Sequence, residues 1–422
     1  MRILVLGSGA REHAIISALL REDASHEIIA APGNAGIAAD VDVVALDAND
    51  PEAVAEFTTA NDIQLVVIGP EAPLVAGVAD ALRTRGIPVF GPGRAAAALE
   101  GSKTFAKRIM DEAGVPTGRA ARAGSLAEAE AALDAYGAPY VVKADGLAAG
   151  KGVLVTESRD AALEHATHWL RQGAVLIEEF LDGDEVSLFL LSDGHNVLPL
   201  SPAQDYKRLG DGDSGPNTGG MGAYSPLPWL DERFGSEQAF VDEVIETIAL
   251  PTVRQLEHED TPFIGLLYCG LILTDAGIRV IEFNARFGDP ETQVVLPRLV
   301  TPLSTLLLAA ASGELAGVER PAFSDDVAIT VVVASENYPD QPVTGRVVSG
   351  LDAASAVPGV SIAHAATARR GDDLVATGGR VLNVIAVGAD FAEARDRVYR
   401  ALGEVSLEGA QFRTDIAARV AH

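Results

Sequence analysis

The chain has 422 residues, 48% apolar and 22% charged, which excludes a disordered chain and allows two to four domains. Its net charge of −28, from 32 basic and 60 acidic residues, argues against nucleic acid or an anionic membrane as a partner. A single cysteine, Cys269, excludes an intramolecular disulfide, and the absence of a long uncharged apolar run or a leader segment points to a soluble cytoplasmic protein.

The first part alternates short apolar strands, at residues 3–6, 28–30, 41–44, 65–68 and 89–90, with helical stretches such as 51–60 and 74–85. That alternation predicts a doubly wound parallel sheet with ligands at the carboxyl ends of its strands. The first turn, Gly7-Ser8-Gly9-Ala10-Arg11-Glu12, departs from the dinucleotide pattern. Glu12 replaces the third glycine, and Ala30-Ala31-Pro32 offers no acid for a ribose. The turn is either a structural tight turn or an anion site to which Arg11 adds charge. His13 reads as a packing or capping residue.

A helix over 102–113 ends at Gly114, with Pro116 beyond it. A helix at 126–136, strands at 140–143, 152–156 and 175–178, and a helix at 159–171 follow. The loop from Lys143 to Gly152 sets glycines and two lysines between strands. It is not a Walker loop, because Gly152 replaces the hydroxyl residue and a strand follows. Its backbone donors and lysines suit nucleotide phosphates, with Lys143 and Gly150 as contacts. Glu178 and Glu185 flank a strand edge, where acids are usually solvated. They also suit an adenine amino group and ribose hydroxyls, with the backbone of Glu179 and Phe180 at the base edge.

A long irregular stretch covers 204–224. Asp205, Lys207 and Arg208 precede a glycine-rich clamp containing Asn217 and Gly219, a pattern suited to covering a substrate. Further on, an apolar run ends in Glu282-x-Asn284, then Arg286. Residues two apart on a strand share a face, so Glu282 and Asn284 present two oxygen ligands suited to Mg²⁺ beside a fixed cation. Strands at 327–333 and 380–387 and a helix at 391–402 make up a last, β-rich part.

These motifs, in this order, resemble the glycinamide ribonucleotide synthetase (phosphoribosylamine–glycine ligase) family, ATP-grasp enzymes of purine biosynthesis. The most specific pieces are Pro216-Asn217-Thr218-Gly219-Gly220-Met221-Gly222 and Arg286-Phe287-Gly288-Asp289-Pro290-Glu291. The resemblance implies an N-terminal doubly wound α/β domain over 1–100 that binds substrate. It implies a two-lobed ATP-grasp domain over 101–324, with a mobile lobe at about 119–190 hinged near 114–118, and a C-terminal mixed β/α domain over 325–422. It also implies ligation of glycine to 5-phosphoribosylamine through glycyl phosphate, with ATP and Mg²⁺ or Mn²⁺, by a monomer.

Carried over by residue, Lys103 and Lys143 meet phosphates, Glu178 and Glu185 the adenosine, and Glu282 and Asn284 the metal. Gly9, Arg11 and Glu71 hold phosphoribosylamine, while Asp205, Lys207 and Arg286 serve the glycine and acyl-phosphate region. Four departures stand out. Ala10 replaces a common third glycine, the Gln172–Gly173 connection is shorter than usual, Asn337 replaces a glycine before Tyr338-Pro339, and Leu271-Ile272-Leu273 carries no second metal acid.

Overall fold

The computed structural model describes residues 1–146 and 152–421. Five strands form the N-terminal parallel sheet, in the order Asp42–Val43, Glu27–Pro32, Arg2–Gly7, Leu65–Ile68, Val89–Phe90. The chain order reverses direction at Arg2–Gly7, so the crevice beyond Gly7 and Gly69 is the switch point of the sheet. The expected helix over 74–85 is two helices, Glu71–Ala76 and Val78–Thr84. Gly77 at φ 90° separates them, with the Arg94 guanidinium packed where a side chain would stand.

Two antiparallel sheets build the body. One runs Val197–Pro199, Asp184–Asp193, Ile264–Thr274, Gly277–Asn284. The other runs Gln204–Asp205, Gly222–Ser225, Val327–Ala334, Arg380–Gly388, Val360–His364. The stretch over 204–224 is therefore less irregular than expected and contributes short strands to this second sheet. That sheet also runs across position 324/325, where the sequence suggested a boundary, and one buried core holds Leu4, Leu188 and Val331 together. We propose a division near 324/325 between the central and C-terminal parts.

A fourth sheet stands apart. Ala120–Ala123, Val175–Glu178, Tyr140–Ala144 and Val153–Thr156 pair antiparallel in that order. Helices Leu126–Tyr136 and Arg159–Trp169 begin at Ser125 and Ser158, whose hydroxyls accept a backbone N–H of the first turn. Ala129, Leu133, Val142, Ala162 and Ile177 close a core of their own, separate from the two body cores. Among the described residues no helix is long and apolar enough to cross a membrane.

We propose that this unit, which is the 120–178 part of the lobe expected at about 119–190, opens and unfolds locally, because its core is small and self-contained; Asp184–Asp193 belongs to the body sheet. Leu133→Ala removes a fully buried side chain and should lower stability by about 3 kcal/mol. Hydrogen exchange should then speed up across 120–178 and stay unchanged in the N-terminal sheet. Equal acceleration in both would show that the unit does not open separately.

Candidate functional site

The strand Gly277–Asn284 supplies the centre of the site. Phe283 is buried in the body core, which turns Glu282 and Asn284 to the other face, and Val280 joins Phe283 on the core side only because the ladder is irregular between them. Pairing with Ile264–Thr274 is broken by a bulge: Gly270 faces Glu282 and Leu271 faces Val280, leaving Ile281 without a register partner. The freed Ile281 carbonyl accepts from Lys143 Nζ at 3.3 Å, which brings the small unit onto the strand. Among the described residues neither Glu282 nor Asn284 has a side-chain hydrogen bond, so both oxygens are uncommitted. Burial pushes the Glu282 carboxyl upward, but Lys207, Lys143, Lys103 and Arg286 outweigh it and hold the group below the usual range.

The lysines converge from different elements. Lys143 is buried, and its Nζ lies 3.0 Å from Glu178 Oε2. Lys107 Nζ approaches the same oxygen at 3.4 Å and donates to the Gly118 carbonyl at 2.9 Å. Lys103 Nζ donates to the Gly146 carbonyl at 3.2 Å. Burial lowers both Lys103 and Lys107 from the ordinary lysine range, with nearby carboxylates opposing. Asp145 accepts from Ser102 Oγ at 3.1 Å and from Thr104 Oγ1 at 2.6 Å, so the start of the 143–152 loop is tied to the helix Lys103–Glu112. Gly150 lies outside the described residues.

Glu178 is thus an ion-pair partner of two lysines rather than a free acceptor. Glu179 is bound to Arg119 at 2.6 Å and its own N–H donates to the Arg119 carbonyl at 3.0 Å, while the Phe180 ring is exposed.

Across the cleft, Lys207 Nζ pairs with Glu185 Oε2 at 2.5 Å. Asp205 and Lys207 point one way and Tyr206 the other, as extended backbone requires. The Arg413 guanidinium lies 4.7 Å from the centre of the Tyr206 ring, and Ala417 N–H donates to the Tyr206 hydroxyl at 2.9 Å. Burial pushes Asp205 up to about 7; Lys207 opposes this while Glu291, Glu185 and Glu282 add to it. Burial acts against the Lys207 charge, but Glu185, Asp205 and Glu282 raise it well above the lysine range. Asn217 pairs with Arg208 in a two-stranded ribbon. Gly219 N–H donates to Tyr338 Oη at 2.9 Å, and Arg380 Nη2 holds Asp289 Oδ2 at 3.0 Å. Gly220 must be glycine, because a Cβ would stand 2.4 Å from Pro290 Cδ.

Beside Asn284 the chain turns into Arg286. Arg286 Nη2 lies 2.9 Å from Glu100 Oε1, and Nε lies 3.7 Å from Glu71 Oε2. Nε is buried without a hydrogen-bond partner among the described residues. At the sheet's switch point, Gly9 N–H donates to Glu12 Oε2 at 2.6 Å and Arg11 Nε to Glu12 Oε1 at 2.5 Å. Arg11 Nη1 reaches the Phe287 carbonyl at 3.2 Å. A Cβ at Gly7, Gly9 or Gly69 would strike the Glu12 carboxylate, so this glycine turn is shaped around an internal side chain. His13 is a packing residue as read: Nε2 faces Asp40 at 2.8 Å and Nδ1 accepts the His364 N–H at 2.9 Å.

The structure therefore brings Lys103, Lys143, Glu185, Asp205, Lys207, Glu282 and Arg286 into one charged cleft. Gly9 and Arg11 join it through Phe287. Sequence reading missed Lys107, Glu100, Glu291 and Arg380. Lys107 had a signal, since it lies four residues after Lys103 on one helix face. Glu291, buried and accepting from the Tyr268 hydroxyl at 2.8 Å, lay inside a quoted motif without a role.

Three family models match the chain in series: the N domain of phosphoribosylglycinamide synthetase over 1–100, its ATP-grasp (A) domain over 101–292 and its C domain over 328–419. A phosphoribosylamine–glycine ligase of Leifsonia xyli is 72% identical over 422 residues, covering 99% of this chain and 100% of the relative. One from Streptomyces coelicolor is 57% identical, with 100% of both chains covered. The crystal structure of phosphoribosylamine–glycine ligase from Thermotoga maritima superposes with a TM-score of 0.83 at 34% identity, covering 98% of this chain and 100% of the other. A biotin carboxylase domain from Hydrogenobacter thermophilus, solved with MgADP, shares the fold at TM-score 0.68 and 17% identity, with 97% and 91% covered.

Asp205 generates a pH prediction. A carboxyl that titrates near 7 is protonated at pH 6 and ionised at pH 8. If the ionised form works, kcat/KM for the small-acid substrate should rise with pH through about 7, and Asp205→Asn should remove that limb. A rising limb that survives in the variant would assign the ionisation elsewhere.

Proposed function

Because this chain belongs to the phosphoribosylglycinamide synthetase family, it carries out ATP-dependent ligation of glycine to 5-phosphoribosylamine in purine biosynthesis, and we propose how its residues divide that work. The observation that carries the assignment is the meeting of Glu282 and Asn284 with Lys103, Lys143, Lys207 and Arg286 around one strand end.

Glu282 and Asn284 hold Mg²⁺ or Mn²⁺. They fit a hard cation: two side-chain oxygens lie on one strand face, one of them kept ionised by its neighbours. Among the described residues no three His, Cys, Asp or Glu side chains converge as a cage, which matches an ion shared with nucleotide phosphates. When bound, the ion supplies positive charge to those phosphates. Lys103 and Lys143 neutralise phosphate oxygens. Glu178 orients Lys143 and Lys107, while Phe180, the backbone around Glu179 and Glu185 take the adenosine part.

The chemistry runs in two displacements. A glycine carboxylate oxygen attacks the γ-phosphorus, the bond to the ADP oxygen breaks, and glycyl phosphate forms. The amine of phosphoribosylamine then attacks the acyl carbon, and phosphate leaves with the former carboxylate oxygen. Asp205, poised near neutrality, takes the amine proton. Lys207 and Arg286 offset charge on the transferring group, the largest contribution expected in phosphoryl transfer. Gly9, Arg11 and Glu71 hold phosphoribosylamine at the switch point, while Asn217 and Gly219 in the clamp cover the substrates. Water must be kept out, since an acyl phosphate hydrolyses. We read the working unit as a monomer.

Glycine labelled with ¹⁸O in its carboxylate should deliver one ¹⁸O to each phosphate released. Unlabelled phosphate would rule out the acyl phosphate. Glu282→Gln, nearly isosteric, should keep the fold yet lose at least about 100-fold in turnover at limiting Mg²⁺. Normal turnover there would refute the metal assignment. Arg11→Ala should raise KM for phosphoribosylamine about tenfold and leave that for ATP unchanged. A rise in the ATP KM alone would reverse the two sites.

A further inference from the structure

We propose that Glu100 is a positioning residue that sets the orientation of Arg286; this rests on the role given to Arg286 above. Glu100 closes the last turn of the helix Arg94–Gly101, whose Ala96, Ala97 and Leu99 are buried. Its own side chain is 8% exposed. Nothing in an alanine-rich helix end requires a buried carboxylate, and burial pushes this one upward against the pull of Arg286. It persists at two contacts made at once. Oε1 meets Arg286 Nη2 at 2.9 Å, and Oε2 accepts the Ala285 N–H at 2.8 Å.

Ala285 links Asn284 to Arg286, so one carboxylate fixes both the end of the metal strand and the guanidinium beyond it. Arg286 Nη1 donates to the Phe287 carbonyl at 3.1 Å, so both terminal nitrogens are held. That keeps Nε 3.7 Å from Glu71 and without a hydrogen bond. An unrestrained guanidinium would swing round and pair fully with Glu71, since a buried donor left unpaired is costly. Glu100 therefore holds the arginine away from its second carboxylate and leaves Nε buried and unpaired among the described residues.

Glutamine tests this with little change of shape. A carboxylate accepts at both contacts, whereas an amide has one oxygen and would set an N–H against either Ala285 N–H or the guanidinium. Steady-state kinetics would compare the wild type, Glu100→Gln, Arg286→Lys and the double variant, with melting temperatures alongside.

We expect Glu100→Gln to lower kcat roughly 10- to 100-fold while KM for ATP moves less than about twofold. In the Arg286→Lys background the same change should add less than about threefold, because its target is already altered. An equal loss in both backgrounds would overturn the proposal and leave a merely structural role. Normal kcat in Glu100→Gln beside an impaired Arg286→Lys would overturn it while sparing Arg286. Normal kcat in both would remove the reading of Arg286 itself. Should Glu100→Gln fail to fold, Glu100→Asp draws the charge back by one methylene and is read by the same comparison.

Discussion

A carboxylate largely withdrawn from water stays ionised only if cations are brought to it, and the site is arranged around that requirement at the half-buried Glu282. Its four balancing charges come from far apart in the chain: Lys103 from a helix, Lys143 from the separate small sheet, Lys207 from the link between two short strands and Arg286 from the turn beyond the strand Gly277–Asn284. None is attached to the same element as another. The bulge at Ile281 exposes a carbonyl that Lys143 reaches, so a local irregularity in one ladder registers two sheets against each other. Coulomb attraction from four cations, none of them in contact with Glu282 among the described residues, couples the arrangement, and the loss of any one cation would be felt by the others.

Much of this was legible beforehand because the relevant signals are local. Strand periodicity placed Glu282 and Asn284 on one face, and strand–helix alternation announced the N-terminal sheet. Asn337 in place of a glycine was tolerable for a local reason too, and it sits at φ 64°. What escaped is non-local. Glu178 read as an adenosine acceptor, yet two lysines claim its carboxylate, one of them Lys107, which carries no motif. Arg380 lies about 90 residues beyond Asp289, and only the folded sheet brings the two together. No window of sequence contains such a pair. The helix expected over 74–85 failed for a local reason, a glycine whose left-handed backbone interrupts an apolar pattern that otherwise continues.

The glycine turn at the start of the chain has its own logic. In a dinucleotide-binding fold the second glycine lets the backbone approach a pyrophosphate and the third lets the helix pack closely on the strand. Here Glu12 occupies that position and folds its carboxylate back onto Gly9, against Gly7 and Gly69. The backbone donor is satisfied internally and the positive end of the helix is met by a negative side chain. An anionic ligand at this corner must rely on Arg11 and what surrounds it rather than on bare backbone, which makes the N-terminal sheet a poor host for a dinucleotide.

The sheet that runs across position 324/325 bears on how the chain is made. Gly222–Ser225 pairs on one edge with Gln204–Asp205, but its other edge needs Val327–Ala334, roughly a hundred residues later. Ribosomes add about 5–20 residues per second, so the nascent chain carries that open edge for on the order of 5–20 s. An unpaired strand edge is a template for pairing with another molecule. Newborn chains on one messenger are therefore most vulnerable to one another in this interval, and the last quarter of the protein ends it.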